Sequence, residues 1–174
     1  MCKFSIHGHS YKVEVFLTSD KLDNGQMIYD FGLMKGTIKD FINSFDHAYS
    51  FWNKESDSFK TFIKQYSERW ISMPVSPSAE SYALMFLYVI DKMLDNTTFN
   101  NGEGNVKVSS VRIHETATGY AEAFRDDLDW TTYDLEDIVF SPSIEEEWNN
   151  VSMWEDLMQN VLWVNPEFYP QIRE

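Results

Sequence analysis

Two stretches of alternating side chains bracket a centre that repeats at helical spacing, and this order constrains the fold more than any other feature. From Ile6 to Leu17, His9, Tyr11, Val13, Val15 and Leu17 share one face while Ser10, Lys12, Glu14 and Phe16 share the other, which is the period of a strand. Asp23-Asn24-Gly25 is a turn signal, after which Met27 to Tyr29 is expected to return antiparallel to the first strand. Asp30 is a plausible helix cap, and Met34, Ile38, Phe41, Ile42 and Phe45 then fall on one helical face. A second amphipathic segment carries Phe59, Phe62, Ile63, Tyr66 and Trp70. A third helix is expected after Pro77, capped by Ser78 and reaching Leu94. Beyond a polar loop over 96–105, Val106–Thr116 and Tyr120–Arg125 read as a second hairpin that turns at Ala117-Thr118-Gly119. The fold class is therefore α+β with antiparallel pairing.

Composition excludes several alternatives. Phe, Tyr and Trp number 28 in 174 residues, too many for a disordered chain. The longest apolar run, Tyr82 to Ile90, is too short to cross a bilayer, so no membrane partner is expected. The chain opens without the pattern of a secretory signal, and its one cysteine, Cys2, excludes an intramolecular disulfide; a cytoplasmic protein is the expectation. The net charge of −14 is lopsided. Residues 1–125 hold 15 acids against 13 bases, whereas residues 126–174 hold 13 acids against Arg173 alone. The first part is thus close to neutral and compatible with an anionic substrate. No basic stripe exists, which argues against nucleic acid. The tail also holds four of the six tryptophans, and Trp154, Leu157, Met158 and Val161 repeat at helical spacing. A helix over Ser143–Leu162 packed on the core is expected, and a helix that docks a partner is the other reading of the same stripe.

Four short motifs carry the candidate chemistry. In His7-Gly8-His9, residues i and i+2 of a strand point the same way, so two imidazoles can converge on a metal ion or simply serve as polar strand residues. Cys2, five residues earlier, is either an inert terminal thiol or a base near a cationic centre. Asp46-His47 after the first helix is either an orienting acid/base pair or a polar helix end. Glu115 in a strand pattern must be solvated, paired or binding something, such as the amidine-like edge of a heterocycle.

Taken in order, Cys2, His7-Gly8-His9-Ser10-Tyr11, Met27-Ile28-Tyr29-Asp30-Phe31, Asp46-His47, Pro77-Ser78-Ala79-Glu80 and Glu115-Thr116 resemble the 6-pyruvoyltetrahydropterin synthase and 6-carboxy-tetrahydropterin synthase family. The resemblance covers residues 2–125 and implies the tunnelling fold: antiparallel hairpins with helices on one face, whose subunits form a β-barrel. It implies a homohexamer of two trimers and zinc held by His7 and His9. It makes Cys2 the proton acceptor and Asp46 with His47 the acid/base relay. Glu115 would anchor the pterin beside Thr116, and Glu80 would contribute to the pterin pocket or to the helix start. The implied reaction converts 7,8-dihydroneopterin triphosphate to 6-carboxy-5,6,7,8-tetrahydropterin with release of acetaldehyde and triphosphate, on a queuosine-type pathway. The Ser10-Tyr11 context and the run Met73 to Glu80 favour this carboxy branch over the pyruvoyl branch.

Three features depart from the family pattern. The family places its first zinc-ligand histidine on a strand before the cysteine, so that ligand is expected to be missing here. His47 belongs to the relay, and His114 alternates to the face opposite Glu115, so neither is a good substitute. Between His47 and Pro77 lie 29 residues with an extra amphipathic segment, and the acidic tail over 126–174 has no counterpart in the pattern. A non-catalytic pterin-binding or assembly module is the competing expectation.

Overall fold

The structure, a computed structural model, describes residues 8–167. Its strands are β1 (Lys12–Thr18), β2 (Tyr49–Trp52), β3 (Trp70–Met73), β4 (Thr97–Thr98), β5 (Lys107–His114), β6 (Tyr120–Phe124), β7 (Val139–Phe140) and β8 (Trp163–Val164). Its helices are α1 (Thr37–Asn43), α2 (Asp57–Tyr66), α3 (Ala79–Asp95), α4 (Pro142–Glu145) and α5 (Met153–Met158).

Helix α3 organises the core because it is apolar nearly all round. Eleven of its 17 residues are buried, which only a helix covered on most sides can achieve. Ser78 starts it by accepting a hydrogen bond from the Ser81 backbone N–H at 3.2 Å. One flank is covered by the antiparallel sheet β1-β5-β6, with Val13 opposite Ile113, Val15 opposite Val111 and Ile113 opposite Ala121. Phe16 pairs with Ser110 but Leu17 with Val108, so Ser109 is an extra residue in β5. This bulge inverts the alternation and lets Val108 bury on the same side as Val111 and Ile113. The sheet is open, and no closed barrel exists among the described residues. No described helix is long and apolar enough to cross a membrane.

The second hairpin and α3 lie where the alternation and the cap place them. The first strand is shorter than its alternation suggests: residues 8–11 are not in a strand, and β1 runs from Lys12 to Thr18. Four further expectations are corrected. Met27–Tyr29 is not a strand. The buried Asp23 closes this segment on itself, accepting from the backbone N–H groups of Gly25 and Met27, each at 2.8 Å, and Tyr29 enters the core beside Phe99 instead of pairing in a ladder. Asp30 does not cap a helix; it accepts from the Gly32 N–H, a 3₁₀ turn follows over Leu33–Lys35, and α1 starts after Gly36. The expected face of that helix does pack, with Ile38 and Phe41 buried and Met34, Ile42 and Phe45 against them. Helix α2 buries Ile63 but leaves Phe62 and Tyr66 exposed, and Trp70 opens β3 instead. β2 and β3 pair in parallel across α2, and β7 adds antiparallel to β3, a second sheet that periodicity did not reveal.

The last of these corrections concerns the tail. The single helix expected over Ser143–Leu162 is instead α4 and α5, separated by turns. Asn149 is pulled out of any helix by three hydrogen bonds to Asp40, one from its backbone N–H and two from its side chain. Trp154 and Leu157 are buried, whereas Met158 and Val161 are 36% and 45% exposed. Trp154 stacks parallel to Phe41 and edge-on to Phe140 with centroids at 4.9 Å, joining one contiguous core with α3. β8 then pairs in parallel with β4.

Candidate active site

The antiparallel register of β1 and β5 ends with Lys12 opposite His114, and this brings the residues just outside both strands together. His9 Nε2 lies 3.1 Å from Glu115 Oε1, with both side chains partly exposed. The His9 ring neighbours Tyr11 at 5.7 Å, and Tyr11 neighbours Tyr82 on the first turns of α3 at 5.3 Å. Together they border a cleft of about 870 Å³.

The end of α1 and the start of α3 supply the opposite rim. Asp46 and His47 follow α1, and both line the cleft with Glu80 from the first turn of α3. His47 takes a left-handed backbone conformation with φ +53°, uncommon outside glycine but accessible to histidine. Its Nε2 is 3.9 Å from Asp46 Oδ1, within ion-pair range but beyond hydrogen-bond distance. Phe45, Tyr82 and Phe86 form an apolar floor of edge-to-face and tilted rings. A floor of this kind suits a flat heterocycle, and the polar rim can fix its orientation.

The cleft's electrostatics are acidic. Asp46, Glu55, Glu80 and Glu115 line it with His9 and His47, and no Lys or Arg does so among the described residues. Burial pushes the Tyr82 hydroxyl up to about 12, partly offset by a hydrogen bond with the Ser50 side chain, so it stays protonated at neutral pH. Burial and then the Glu55 charge also raise Tyr49.

The sequence-derived candidates thus separate. His9, Asp46, His47, Glu80 and Glu115 share the cleft. Thr116 does not line it; its hydroxyl accepts from the Gly119 N–H at 2.8 Å and shapes the hairpin turn. Cys2 and His7 lie outside the described residues. Among the described residues, no three His, Cys, Asp or Glu side chains form a metal-binding group. His114 lies on the other face of the sheet, 2.8 Å from Glu14, as its alternation predicts. Sequence reasoning missed the wall made by Tyr49, Ser50, Trp52, Glu55 and Phe59, and it missed Tyr82. Tyr82 could have been found, since Tyr11 follows His9 by two residues and Ser78 fixes where α3 begins. The wall depends on β2, which left no periodic signal.

Comparisons with known proteins find sequences similar to this chain. The model of the family described as 6-pyruvoyl tetrahydropterin synthase matches residues 2–126. A protein of Helicobacter pylori named 6-carboxy-5,6,7,8-tetrahydropterin synthase is 53% identical over 128 residues, which is 74% of this chain and 64% of that protein. The chain therefore spans slightly less than two thirds of the length of that relative. Proteins with the same name from Aquifex aeolicus and Rickettsia typhi are 34% and 28% identical, over 68% and 70% of this chain and 73% and 83% of theirs.

Proposed function

The chain belongs to the 6-pyruvoyl tetrahydropterin synthase family, and from that premise we propose that it converts 7,8-dihydroneopterin triphosphate to 6-carboxy-5,6,7,8-tetrahydropterin, releasing acetaldehyde and triphosphate. The observation that carries this reading is the cleft in which Glu115, His9 and the Asp46-His47 pair face an apolar aromatic floor. The names of the similar bacterial proteins favour the carboxy product over the pyruvoyl product.

In this reading Glu115 accepts hydrogen bonds from a ring nitrogen and the amino group of the pterin, which lies over Phe45 and Tyr82. Glu80 and Thr116 belong to the substrate end, Thr116 by holding the turn that aims Glu115. His47 takes and returns side-chain protons, Asp46 stabilises its cationic form, and Cys2 serves as the second proton acceptor. His9 suits a zinc ligand chemically: imidazole is a preferred donor for this ion, and a carboxylate at 3.1 Å is the kind of neighbour that orients a ligating ring. His7 would be its partner ligand. Zinc would act as a Lewis acid that polarises the substrate's side-chain oxygens.

The assembly is part of the same proposal. β1 and β6 each have one unpaired edge among the described residues, and open edges favour pairing with further copies into a barrel of a cytoplasmic homohexamer. Residues 1–125 would form the catalytic unit and residues 126–174 an acidic extension that braces it.

The test incubates the purified, zinc-supplied protein with 7,8-dihydroneopterin triphosphate and identifies the pterin by mass. The 6-carboxy product with acetaldehyde is expected. A 6-pyruvoyl product moves the chain to the other branch, and no conversion overturns the enzymatic reading.

A further inference from the structure

The last turn of α1 is gripped from outside by one guanidinium. Arg69, between α2 and β3, donates from Nε to the Asp46 carbonyl at 3.1 Å. Its Nη2 donates to the carbonyls of Asn43 at 3.2 Å and Ser44 at 3.4 Å. These acceptors lie at and just beyond the C-terminal end of α1, where carbonyls lack i→i+4 partners and a cation is favourable, although the Asn43 carbonyl also accepts from the Asp46 N–H at 3.0 Å. Nη1 forms an ion pair with Glu147 from the loop after α4. The next residue, Trp148, donates from Nε1 to Ser44 Oγ at 2.8 Å, and Asn149 holds Asp40 one turn earlier.

The grip ends where the cleft begins. One peptide beyond the Asp46 carbonyl, His47 turns left-handed at φ +53°. Its side chain is 89% exposed, so packing of the imidazole does not impose that backbone shape. The Arg69 hydrogen bond to the Asp46 carbonyl holds the peptide plane from which His47 departs, and the Ala48 N–H closes the turn onto the Phe45 carbonyl at 3.4 Å. We infer that Arg69, braced by Glu147, is a positioning residue for the Asp46-His47 pair: it sets the direction in which His47 enters the cleft and couples that direction to the acidic C-terminal segment. This inference rests on the acid/base role proposed for the pair. A displacement of about 1 Å in a reacting group can cost about 10²-fold in rate, so this grip has leverage without touching substrate.

The experiment compares Arg69→Gln, Arg69→Lys and Glu147→Gln in the full-length protein. Steady-state kinetics is paired with NMR of the ¹³Cα and ring resonances of His47, recorded without substrate. Arg69→Gln is expected to lower kcat about 10- to 100-fold, keep KM within about threefold, and shift the His47 resonances. Arg69→Lys should recover part of kcat, because one ammonium can serve one or two of the three carbonyls but not the fork. A folded Arg69→Gln with kcat within about twofold of wild type and unmoved His47 resonances overturns the inference, and so does a change confined to KM. If Arg69→Gln does not fold, Glu147→Gln decides: a several-fold kcat loss with shifted His47 resonances supports the inference, and wild-type values overturn it. If the wild-type protein itself does not convert the pterin, the functional reading fails. The NMR comparison then still decides whether Arg69 positions His47.

Discussion

At the residue scale, motif order identified side chains that local periodicity did not place, since His9 lies ahead of β1, which begins at Lys12. His9, Glu115 and Asp46-His47 were legible as short motifs, and the cleft gathers all of them. His47→Ala is expected to reduce kcat about 10²–10⁴-fold without loss of the fold. Kinetics beside a thermal melt checks this, and activity within about twofold of wild type rejects the acid/base role. Glu14, on the open face of the sheet, gives a pH prediction. Hydrogen bonds from Lys12 and His114 hold its carboxyl at about 2, against an ordinary value of 4.5. Its folded value is depressed, so its stabilising contribution is fully present above 4.5 and is lost as pH falls toward 2. Thermal midpoints followed over that window should fall less steeply in Glu14→Gln than in wild type. Parallel slopes would show that Glu14 does not contribute.

At the element scale, the Ser78 cap and the turn at Ala117–Gly119 were reliable, while the Asp30 cap and the strand counts were not. Pro77 and Ser78 mark the start of α3 in the sequence, and Ser78 does cap it. Ser78→Ala should cost about 0.5–2 kcal/mol of unfolding free energy, read from urea denaturation. A variant as stable as wild type would mean that neighbouring contacts hold the turn without the hydroxyl. The hairpin at Ala117–Gly119 was legible because alternation on both sides is long. β2 and β3 were not, because four residues are too few to establish a period, and because a parallel pair is defined by its partner across α2. Met27–Tyr29 misled for a different reason. The turn signal at Asp23-Asn24-Gly25 is real, but the Asp23 carboxylate spends it on local backbone N–H groups, so the chain closes a loop without returning as a strand.

At the scale of the whole molecule, the C-terminal segment shares the core and does not merely follow it. Met153, Trp154 and Leu157 are buried with Phe41, and Trp148 and Asn149 reach the polar side of α1. Trp154→Ala should therefore destabilise the entire chain by about 3–5 kcal/mol in a single cooperative transition. A separate early transition, or a stability change under about 1 kcal/mol, would show that the segment folds apart from the rest. The sequence by itself determined the α+β plan, the extent of α3, the second hairpin and the identity of five cleft side chains. The plan, α3 and the hairpin depend on periodicity or capping within a dozen neighbouring residues, whereas the five side chains came from the resemblance of the ordered motifs to the family. Tertiary structure alone decided the second sheet, the cleft wall from 49–59, the breaking of the tail helix and the grip of Arg69 on α1. Those outcomes depend on hydrogen bonds between residues as far apart as Asp40 and Asn149, and the free energy of such bonds enters no local pattern. The stripe Trp154, Leu157, Met158, Val161 shows the division: its period promised a long helix, and the polar groups of α1 set where that helix could begin.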